Sequence, residues 1–163
     1  MSELDKIKAL VPNFYFDVVN GINVIDSTIR VIIGVDLTRD AKNPEKRVEF
    51  ELYFDQVGFQ NKIRLLKIIL KENYPDILKK YPNYFAELGN VKGYRDSIGH
   101  SPVYYERDSN EQNAKLVIPN IIYKKQKKLS KRQMDGILKT VEKCINDTRE
   151  ILRLIGKAKN LNF

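Results

Sequence analysis

Apolar residues at helical spacing constrain this chain more than any other feature of its sequence. Side chains three or four positions apart lie on one face of an α-helix, because the helix turns once every ~3.6 residues. The first segment with this pattern runs from about residue 13 to residue 33, with Gly34 as its expected end. This stripe predicts a long amphipathic helix that packs against others. Its apolar positions are Phe14, Val18, Ile22, Ile25, Ile29 and Ile32.

Two further segments repeat the pattern in the middle of the chain. The second helix is expected over residues 56–73, with Asp55 as its N-cap and Pro75 marking its end. The third is expected to open at Pro82 and to end at the run Gly99-His100-Ser101-Pro102, which is a strong stop signal. Their apolar faces consist of Phe59, Ile63, Leu66 and Leu70 in the second helix and of Phe85, Leu88, Val91 and Ile98 in the third.

The last helix has the clearest expected start. Ser130 is followed three residues later by Gln133, which is the spacing of a capping box, in which each side chain binds the other residue's backbone N–H. Cys144 lies on the apolar stripe of this helix, so we expect it to pack in the core rather than to act as a nucleophile. The stripe consists of Met134, Ile137, Leu138, Val141, Cys144, Ile145, Thr148, Ile151, Leu152 and Ile155.

Two shorter stretches complete the predicted fold. Apolar residues alternate over residues 48–54, a pattern compatible with a short strand or with a helical lead-in. Residues 103–107 and 114–118 flank a polar hexapeptide, which indicates a β-hairpin or an extended loop. We therefore expect one domain over residues 1–163 with an all-α fold. It would be an up-and-down bundle of four to five helices with a small β-hairpin inserted before the last helix.

Positive charge is concentrated at the C-terminal end. The chain has 29 Lys and Arg against 21 Asp and Glu, and the whole excess of +8 lies after residue 120. The densest stretch is residues 124–128, followed closely by Lys131 and Arg132. Such a stretch is typical of a surface that contacts phosphates or an acidic protein, and a solvated surface without a ligand is the alternative.

Several classes of site are excluded by what the sequence lacks. A single cysteine and a single histidine exclude a disulfide framework and a Cys- or His-rich metal centre, and no glycine-rich phosphate loop occurs. We expect no cofactor and no metal. The N-terminus lacks a signal-peptide pattern, and isolated polar residues interrupt the apolar stretch over residues 18–35. We therefore expect no bilayer-spanning helix, no membrane association and a cytoplasmic location.

The only histidine belongs to a segment with the residue types of a metal-independent nuclease, Arg95-Asp96-Ser97-Ile98-Gly99-His100. RNA carries its own nucleophile, the 2′-hydroxyl, so cleavage needs only a positioned base and a cation. His100 titrates near neutral pH, and the planar fork of Arg95 suits phosphoryl oxygens. Asp96 is placed to orient either of them by a hydrogen bond. These three residues are the predicted catalytic set.

This segment resembles the Arg-x4–6-His motif of the HEPN superfamily, in which a polar residue usually follows the arginine. Residues 59–66, with the sequence FQNKIRLL, look like the second bundle helix of small bacterial HEPN proteins, and the resemblance covers about residues 14–156. It implies a metal-independent endoribonuclease whose active site forms between two copies of the chain. It also implies a role as a toxin or anti-phage defence effector, held in some cases by a nucleotidyltransferase antitoxin.

Helix geometry is compatible with a dimeric site. Residues five apart on a helix differ by about 140° in direction, so Arg95 and His100 do not share a face unless the chain turns at Gly99. We expect a twofold homodimer in which both copies of His100 face one groove. The residues predicted to contact RNA around that groove are Lys92, Tyr94, Tyr104, Arg107, Lys124, Lys125, Lys127 and Lys128.

Two other functions fit the same residues. The first is a non-catalytic HEPN-like module that binds RNA, a nucleotide or a partner protein, because Asp96 stands where asparagine is commoner in the family. The second is a dimerisation bundle whose basic C-terminal region binds an acidic protein. The tyrosines near the motif either stack on unpaired bases or pack within the fold.

Overall fold

The computed structural model describes residues 3–37, 50, 53–54, 56–99, 104–107, 114–120 and 125–161. The elements in chain order are α1 (Glu3–Leu37), α2 (Phe59–Asn73), α3 (Pro75–Lys80), α4 (Tyr84–Gly99), β1 (Tyr104–Arg107), β2 (Ala114–Asn120), β3 (Lys125–Leu129) and α5 (Lys131–Ala158). Helices account for most of the described residues, so the predicted helical fold is confirmed.

The chain divides into two compact units. The motif unit contains Met1–Ile22 and Asn90–Glu142, and the helical unit contains Asn23–Gly89 and Lys143–Phe163. The boundaries fall within helices, so α1, α4 and α5 each contribute residues to both units.

The helical unit has a core built from segments of α1, α2, α4 and α5. Every predicted core position of α1 and α2 in this unit is buried, because the apolar stripes face inward. Burying one such side chain stabilises the fold by about 1.5–3 kcal/mol. The buried apolar side chains of these segments are Ile25, Ile29, Ile32, Ile33, Val35, Phe59, Ile63, Leu66, Ile69, Leu70, Tyr84, Leu88, Cys144, Ile151 and Ile155.

The motif unit combines helix segments with a small antiparallel sheet. Strand β2 lies between β1 and β3, with Tyr104 opposite Val117 and Leu116 opposite Leu129. The paired strands β1 and β2 occupy the stretch where the sequence indicates a hairpin or an extended loop. Strand β3 runs through the lysine-rich stretch, where no strand was expected. The buried apolar side chains of this unit are Phe14, Val18, Ile22, Val91, Leu129, Met134, Ile137 and Val141.

Helix α1 is longer than predicted at both ends. It begins at Glu3 and continues past Gly34 to Leu37, so the predicted end at Gly34 is wrong. Gly34 has no positive φ that would stop the helix. A Cβ atom at this position would lie 3.0 Å from a ring carbon of Phe50. The glycine therefore permits a close approach of an aromatic ring, at a cost to helix propensity of about 1 kcal/mol.

The start of α2 also differs from the prediction. Its N-cap is Gly58, whose carbonyl accepts the N–H groups of Asn61 and Lys62 at 2.9 and 3.2 Å. The predicted N-cap Asp55 is therefore wrong, and Asp55 itself lies outside the described residues. Pro75 does follow the end of α2, but it also begins the short helix α3, which the sequence analysis missed. Proline suits that first position because no helical N–H bond is needed there.

Elsewhere in the chain, the local sequence signals for helix ends and starts agree with the structure. Helix α4 ends at Gly99 as predicted. The capping box of α5 is confirmed: the Ser130 N–H donates to Gln133 Oε1 at 2.8 Å, and the Gln133 N–H donates to Ser130 Oγ at 3.4 Å. The described residues within 48–54, which are 50, 53 and 54, are helical and match the lead-in alternative.

Helix α1 also contains a stretch, Asn13–Leu37, that is long and apolar enough by length and composition to cross a membrane. The polar residues that interrupt this stretch are isolated among valines and isoleucines, so they do not remove the required length and apolar composition, and the absence of a bilayer-spanning helix stays a prediction. Of its apolar window, 44% is buried within the protein. The core helix of a globular protein passes the same test, so the stretch is ambiguous and the cytoplasmic location stays a prediction.

Candidate functional site

The candidate site lies on the last turns of α4, within the motif unit. Val91 is buried, and it orients this part of the helix. Arg95 and Asp96, four and five positions further on, are exposed, and Lys92 is half-buried. Because α4 ends at Gly99, His100 follows the helix directly in the chain. The helix therefore presents the arginine and the carboxylate of the motif at the surface.

Lys92 and Asp96 form an ion pair one helical turn apart. The Lys92 ammonium donates a hydrogen bond to Asp96 Oδ2, and their side chains are 31% and 47% exposed. The sequence analysis assigned Lys92 to phosphate contact and Asp96 to orienting Arg95 or His100. The structure instead joins Lys92 to Asp96, a pairing that was not predicted although the i,i+4 spacing permits it. Within the described part of the chain, Asp96 engages one ammonium hydrogen of Lys92, and the other two remain for a ligand.

The other predicted residues are only partly described. His100 and Lys124 lie outside the described residues. Tyr94 is half-buried on α4. The backbone positions of five further predicted residues are given by the sheet: Tyr104 and Arg107 belong to β1, and Lys125, Lys127 and Lys128 belong to β3.

The register of the sheet brings two of these positions into one row. Tyr104 in β1 and Lys128 in β3 both pair with Val117 of the central strand. Arg107 pairs with Ala114, at the other end of β1. The structure thus relates an aromatic and a basic position that are 24 residues apart in the printed sequence.

Other kinds of site can be assessed within the described residues. No group of three or more His, Cys, Asp or Glu side chains in this part of the chain is arranged to hold a metal ion. Cys144 is fully buried, and burial raises the pKa of its thiol to about 12. A thiol with so little thiolate at neutral pH is a poor nucleophile. This agrees with the predicted packing role of Cys144.

One shallow cleft lies in the motif unit, between α1 and the first turns of α5. It has a volume of about 50 Å³. Its apolar part is formed by Phe14, Met134 and Leu138, and its polar part includes Asp17 and Asp135. A volume of this size holds a water or the tip of one side chain, so it is too small for a nucleobase.

The helical unit contains polar contacts, most of them partly buried, that were not predicted from the sequence. Asp36 accepts hydrogen bonds from Asn73 Nδ2 at 3.0 Å and from the Tyr74 hydroxyl at 2.9 Å. The Lys159 ammonium donates to the carbonyl oxygens of Val35 and Asp36 at 2.8 and 3.2 Å. These contacts tie the ends of α1, α2 and α5 together, with the cation beside the free carbonyls of a helix C-terminus.

Comparison with known proteins adds no relative. No protein-family model matches the chain, and neither a curated protein nor a solved structure matches it. The case for a function therefore rests on the residues of the chain itself.

Proposed function

We propose that the protein is a metal-independent endoribonuclease of the HEPN type. The proposal is supported by one observation above all. Arg95 is exposed on the last turns of α4, and the helix ends at Gly99, immediately before the only histidine of the chain. A cation and a titratable base thus lie at the end of one helix, as the resemblance requires.

The proposed reaction uses the RNA's own nucleophile. His100 accepts the proton of the 2′-hydroxyl, and the 2′-oxygen attacks the adjacent phosphorus. A new P–O bond forms while the bond to the 5′-oxygen breaks, and a protonated His100 returns a proton to that leaving oxygen. Arg95 stabilises the negative charge that builds on the phosphoryl oxygens. The products are a 2′,3′-cyclic phosphate and a 5′-hydroxyl.

The proposed active unit is a twofold homodimer, since Arg95 and His100 are five positions apart in the sequence, and residues at that spacing on a regular helix do not share a face. Two copies of the motif supply one base and one acid to a shared groove. Sedimentation velocity at micromolar concentration tests this arrangement. A monomer at high micromolar concentration would contradict it.

Cleavage of RNA by the purified full chain is the direct test. With EDTA present, the wild-type protein is expected to cleave a labelled RNA, and His100→Ala and Arg95→Ala are each expected to lose most of the activity, on the order of a hundredfold or more. Lys71→Ala, an exposed residue of α2, is the control and keeps full activity. Equal activity in all four proteins would overturn the proposal.

The proposed cellular role follows the resemblance: a toxin or anti-phage defence effector in the cytoplasm, restrained by an antitoxin or another acidic protein. Co-expression of candidate neighbouring genes with a growth assay tests it. Relief of growth arrest by a neighbour that also co-purifies would support the role.

One observation favours a second candidate, an RNA-binding module that does not cleave. Asp96 Oδ2 accepts a hydrogen bond from Lys92, so the carboxylate that the nuclease needs to orient Arg95 or His100 already has a cationic partner within α4. This candidate predicts salt-dependent RNA binding with no cleavage product. The cleavage assay above separates the two candidates.

A further inference from the structure

A second concentration of positive charge lies in the helical unit, around Glu150 of α5. Arg153 binds the Glu150 carboxylate with two atoms: its Nε donates to Oε2 at 2.7 Å, and Nη2 donates to Oε1 at 2.5 Å. The Lys80 ammonium of α3 lies 4.0 Å from the same Oε1. We call Lys80, Glu150, Arg153 and Lys157 the Glu150 cluster.

Three cations surround this one carboxylate. The hydrogen bond from Arg153, with smaller contributions from the charges of Lys80 and Lys157, lowers the pKa of Glu150. Glu150 is therefore ionised at neutral pH, and the four side chains carry a net charge of +2. The Lys80 and Arg153 side chains are 56% and 49% exposed, so this charge faces solvent.

The cluster keeps many hydrogen-bond donors for a ligand. An arginine has five N–H groups, and Glu150 engages only two of those of Arg153. The ammonium of Lys80 lies beyond hydrogen-bond distance of Glu150, and among the described residues no hydrogen bond engages that of Lys157. Glu150 thus holds the arginine in place, and three exposed cationic groups keep donors that Glu150 does not engage.

An aromatic ring lies beside these cations. The Lys80 Nζ atom is 5.6 Å from the centre of the half-buried Tyr81 ring. A cationic surface with an aromatic ring beside it is the usual composition of a surface that follows a nucleic-acid backbone. The nearby Lys79 does not add to the net charge, because Asp76 pairs with it at 3.1 Å.

We propose that the Glu150 cluster is a phosphate-contacting surface for RNA, additional to the residues of the α4 motif and of the sheet. The ligand is the phosphodiester backbone of a single-stranded RNA, held by charge-assisted hydrogen bonds from Lys80, Arg153 and Lys157. The choice of RNA as the ligand rests on the proposed function. The surface itself is independent of catalysis, and its test separates the two.

Binding is measured by fluorescence anisotropy with a 2′-O-methyl RNA, which has no free 2′-hydroxyl and is not cleaved by the proposed reaction. The slope of log affinity against log salt counts phosphate contacts, at about 0.7 per contact for single strands. The double variant Lys80→Gln/Lys157→Gln is expected to make the slope shallower by about 1.4. The matched control Arg64→Gln/Lys71→Gln removes two exposed cations from α2 and is expected to keep a slope near that of the wild type.

A gain of binding provides the second test, which a folding defect cannot imitate. Glu150→Gln removes the one negative charge of the cluster and is expected to tighten RNA binding about three- to fivefold at low salt. Glu72→Gln removes an exposed carboxylate from α2 and is expected to leave the affinity unchanged. Equal effects of Glu150→Gln and Glu72→Gln, or equal slopes in the two double variants, would overturn the proposal.

The remaining outcomes separate the phosphate-contacting surface from the proposed nuclease activity. If Lys80→Gln/Lys157→Gln loses RNA contacts and the wild-type protein cleaves no RNA, the result supports the phosphate-contacting surface and contradicts the proposed nuclease activity. If the wild-type protein cleaves RNA and the double variant binds RNA as tightly as the wild type, the result supports the nuclease activity and contradicts the phosphate-contacting surface. Vesicles containing phosphatidylserine form the comparison arm: a loss of vesicle binding without a loss of RNA binding would assign the cluster to a lipid surface and overturn the RNA proposal.

Discussion

Two lysine–aspartate pairs of this protein have the same chemistry but differ in burial, because the lysine of the first pair is buried and its aspartate is 32% exposed. Lys62 of α2 binds Asp26 of α1 at 2.8 Å, and the Lys62 side chain is only 5% exposed. Lys92 and Asp96 pair within α4, and both side chains reach solvent. The first pair joins two helices of the helical unit, whereas the second joins successive turns of one helix in the motif unit.

Burial separates a charged residue that stabilises the fold from one that is available for function. A buried charge loses its hydration and depends on its partner, so removing one member leaves the other uncompensated. An exposed i,i+4 pair contributes about 0.3–0.5 kcal/mol, because water solvates both groups in its absence. Lys92 and Asp96 can therefore be substituted with little risk to the fold, whereas Lys62 cannot.

The largest expected effect is that of Lys62→Met. It leaves the Asp26 carboxylate without its partner and is expected to lower the free energy of unfolding by about 3 kcal/mol, at the lower end for a broken buried pair because Asp26 is partly exposed. Urea denaturation measures the change. Lys62→Met/Asp26→Leu removes both charges and is expected to recover most of the loss, since Asp26 Oδ1 is already buried without a hydrogen bond in the described structure. A loss below about 1 kcal/mol in the single variant would contradict the comparison.

The next effect concerns a neutral buried contact of the helical unit. The Tyr84 hydroxyl lies 2.8 Å from Thr148 Oγ1, which itself donates to the Cys144 carbonyl at 2.5 Å, so Tyr84 is the donor between them. Tyr84→Phe is expected to lower the free energy of unfolding by about 1 kcal/mol. Tyr53→Phe, at an exposed position, is the control and is expected to have no effect.

Tyr84 also predicts a dependence on alkaline pH. Burial raises the pKa of its phenol above the ordinary value of about 10. A raised pKa in the folded state means that this contribution to stability is complete below about pH 10 and is lost as the pH rises above it. Tyrosinate absorbance of the folded protein is expected to show Tyr84 ionising after the exposed tyrosines. Burial and the hydrogen bond to Asp36 raise the pKa of Tyr74 as well, so Tyr84→Phe is expected to remove one of two late-ionising tyrosines among the described residues.

The exposed pair is expected to give the smallest change in stability. Lys92→Ala and Asp96→Ala are each expected to change the free energy of unfolding by less than about 0.5 kcal/mol. A larger change in RNA cleavage or binding by either variant then reports on function and not on folding. If either variant lowers the free energy of unfolding, as measured in urea, by several kcal/mol, then the exposed pair stabilises the fold as much as the Lys62–Asp26 pair does, which would contradict the comparison.

Chemical modification tests burial in the helical unit without any substitution. Because burial raises the pKa of the Cys144 thiol to about 12, the folded protein at pH 8 contains almost no thiolate. We expect no reaction with iodoacetamide in native buffer and complete reaction in urea, as measured by mass spectrometry. Rapid labelling of the folded protein would contradict the burial of this helix face.

Much of the fold was predictable because its signals are local. The stripes of α1 and α2 and the Ser130–Gln133 capping box involve residues a few positions apart, and each proved correct. The end of α1 failed for a tertiary reason, since Gly34 leaves room for the Phe50 ring rather than ending the helix. The predicted N-cap of α2 failed because a glycine three residues later takes that position.

The candidate site was predictable to a similar extent. The sequence alone indicated Arg95, Asp96 and His100 as a group, because they are adjacent in the chain. The link between Lys92 and Asp96 is also local, but it was not predicted, although helix spacing permits it. The Glu150 cluster was not predictable, because Lys80 and Glu150 belong to different helices, and only the packed structure places their side chains together.

The four long helices, the inward faces of α1 and α2 and the position of the motif at a helix end follow from the sequence, because hydrophobic periodicity and capping act over a few residues. The hydrogen-bond partners of the polar groups in the helical unit, in contrast, depend on the tertiary structure. The hydrogen bonds of Lys62 to Asp26, of Tyr84 to Thr148 and of Lys159 to the end of α1 span 36, 64 and about 124 positions of the chain. No local pattern specifies such partners. A polar group that is removed from water forms a hydrogen bond with a donor or acceptor that helix packing places beside it, and that neighbour is distant in the sequence.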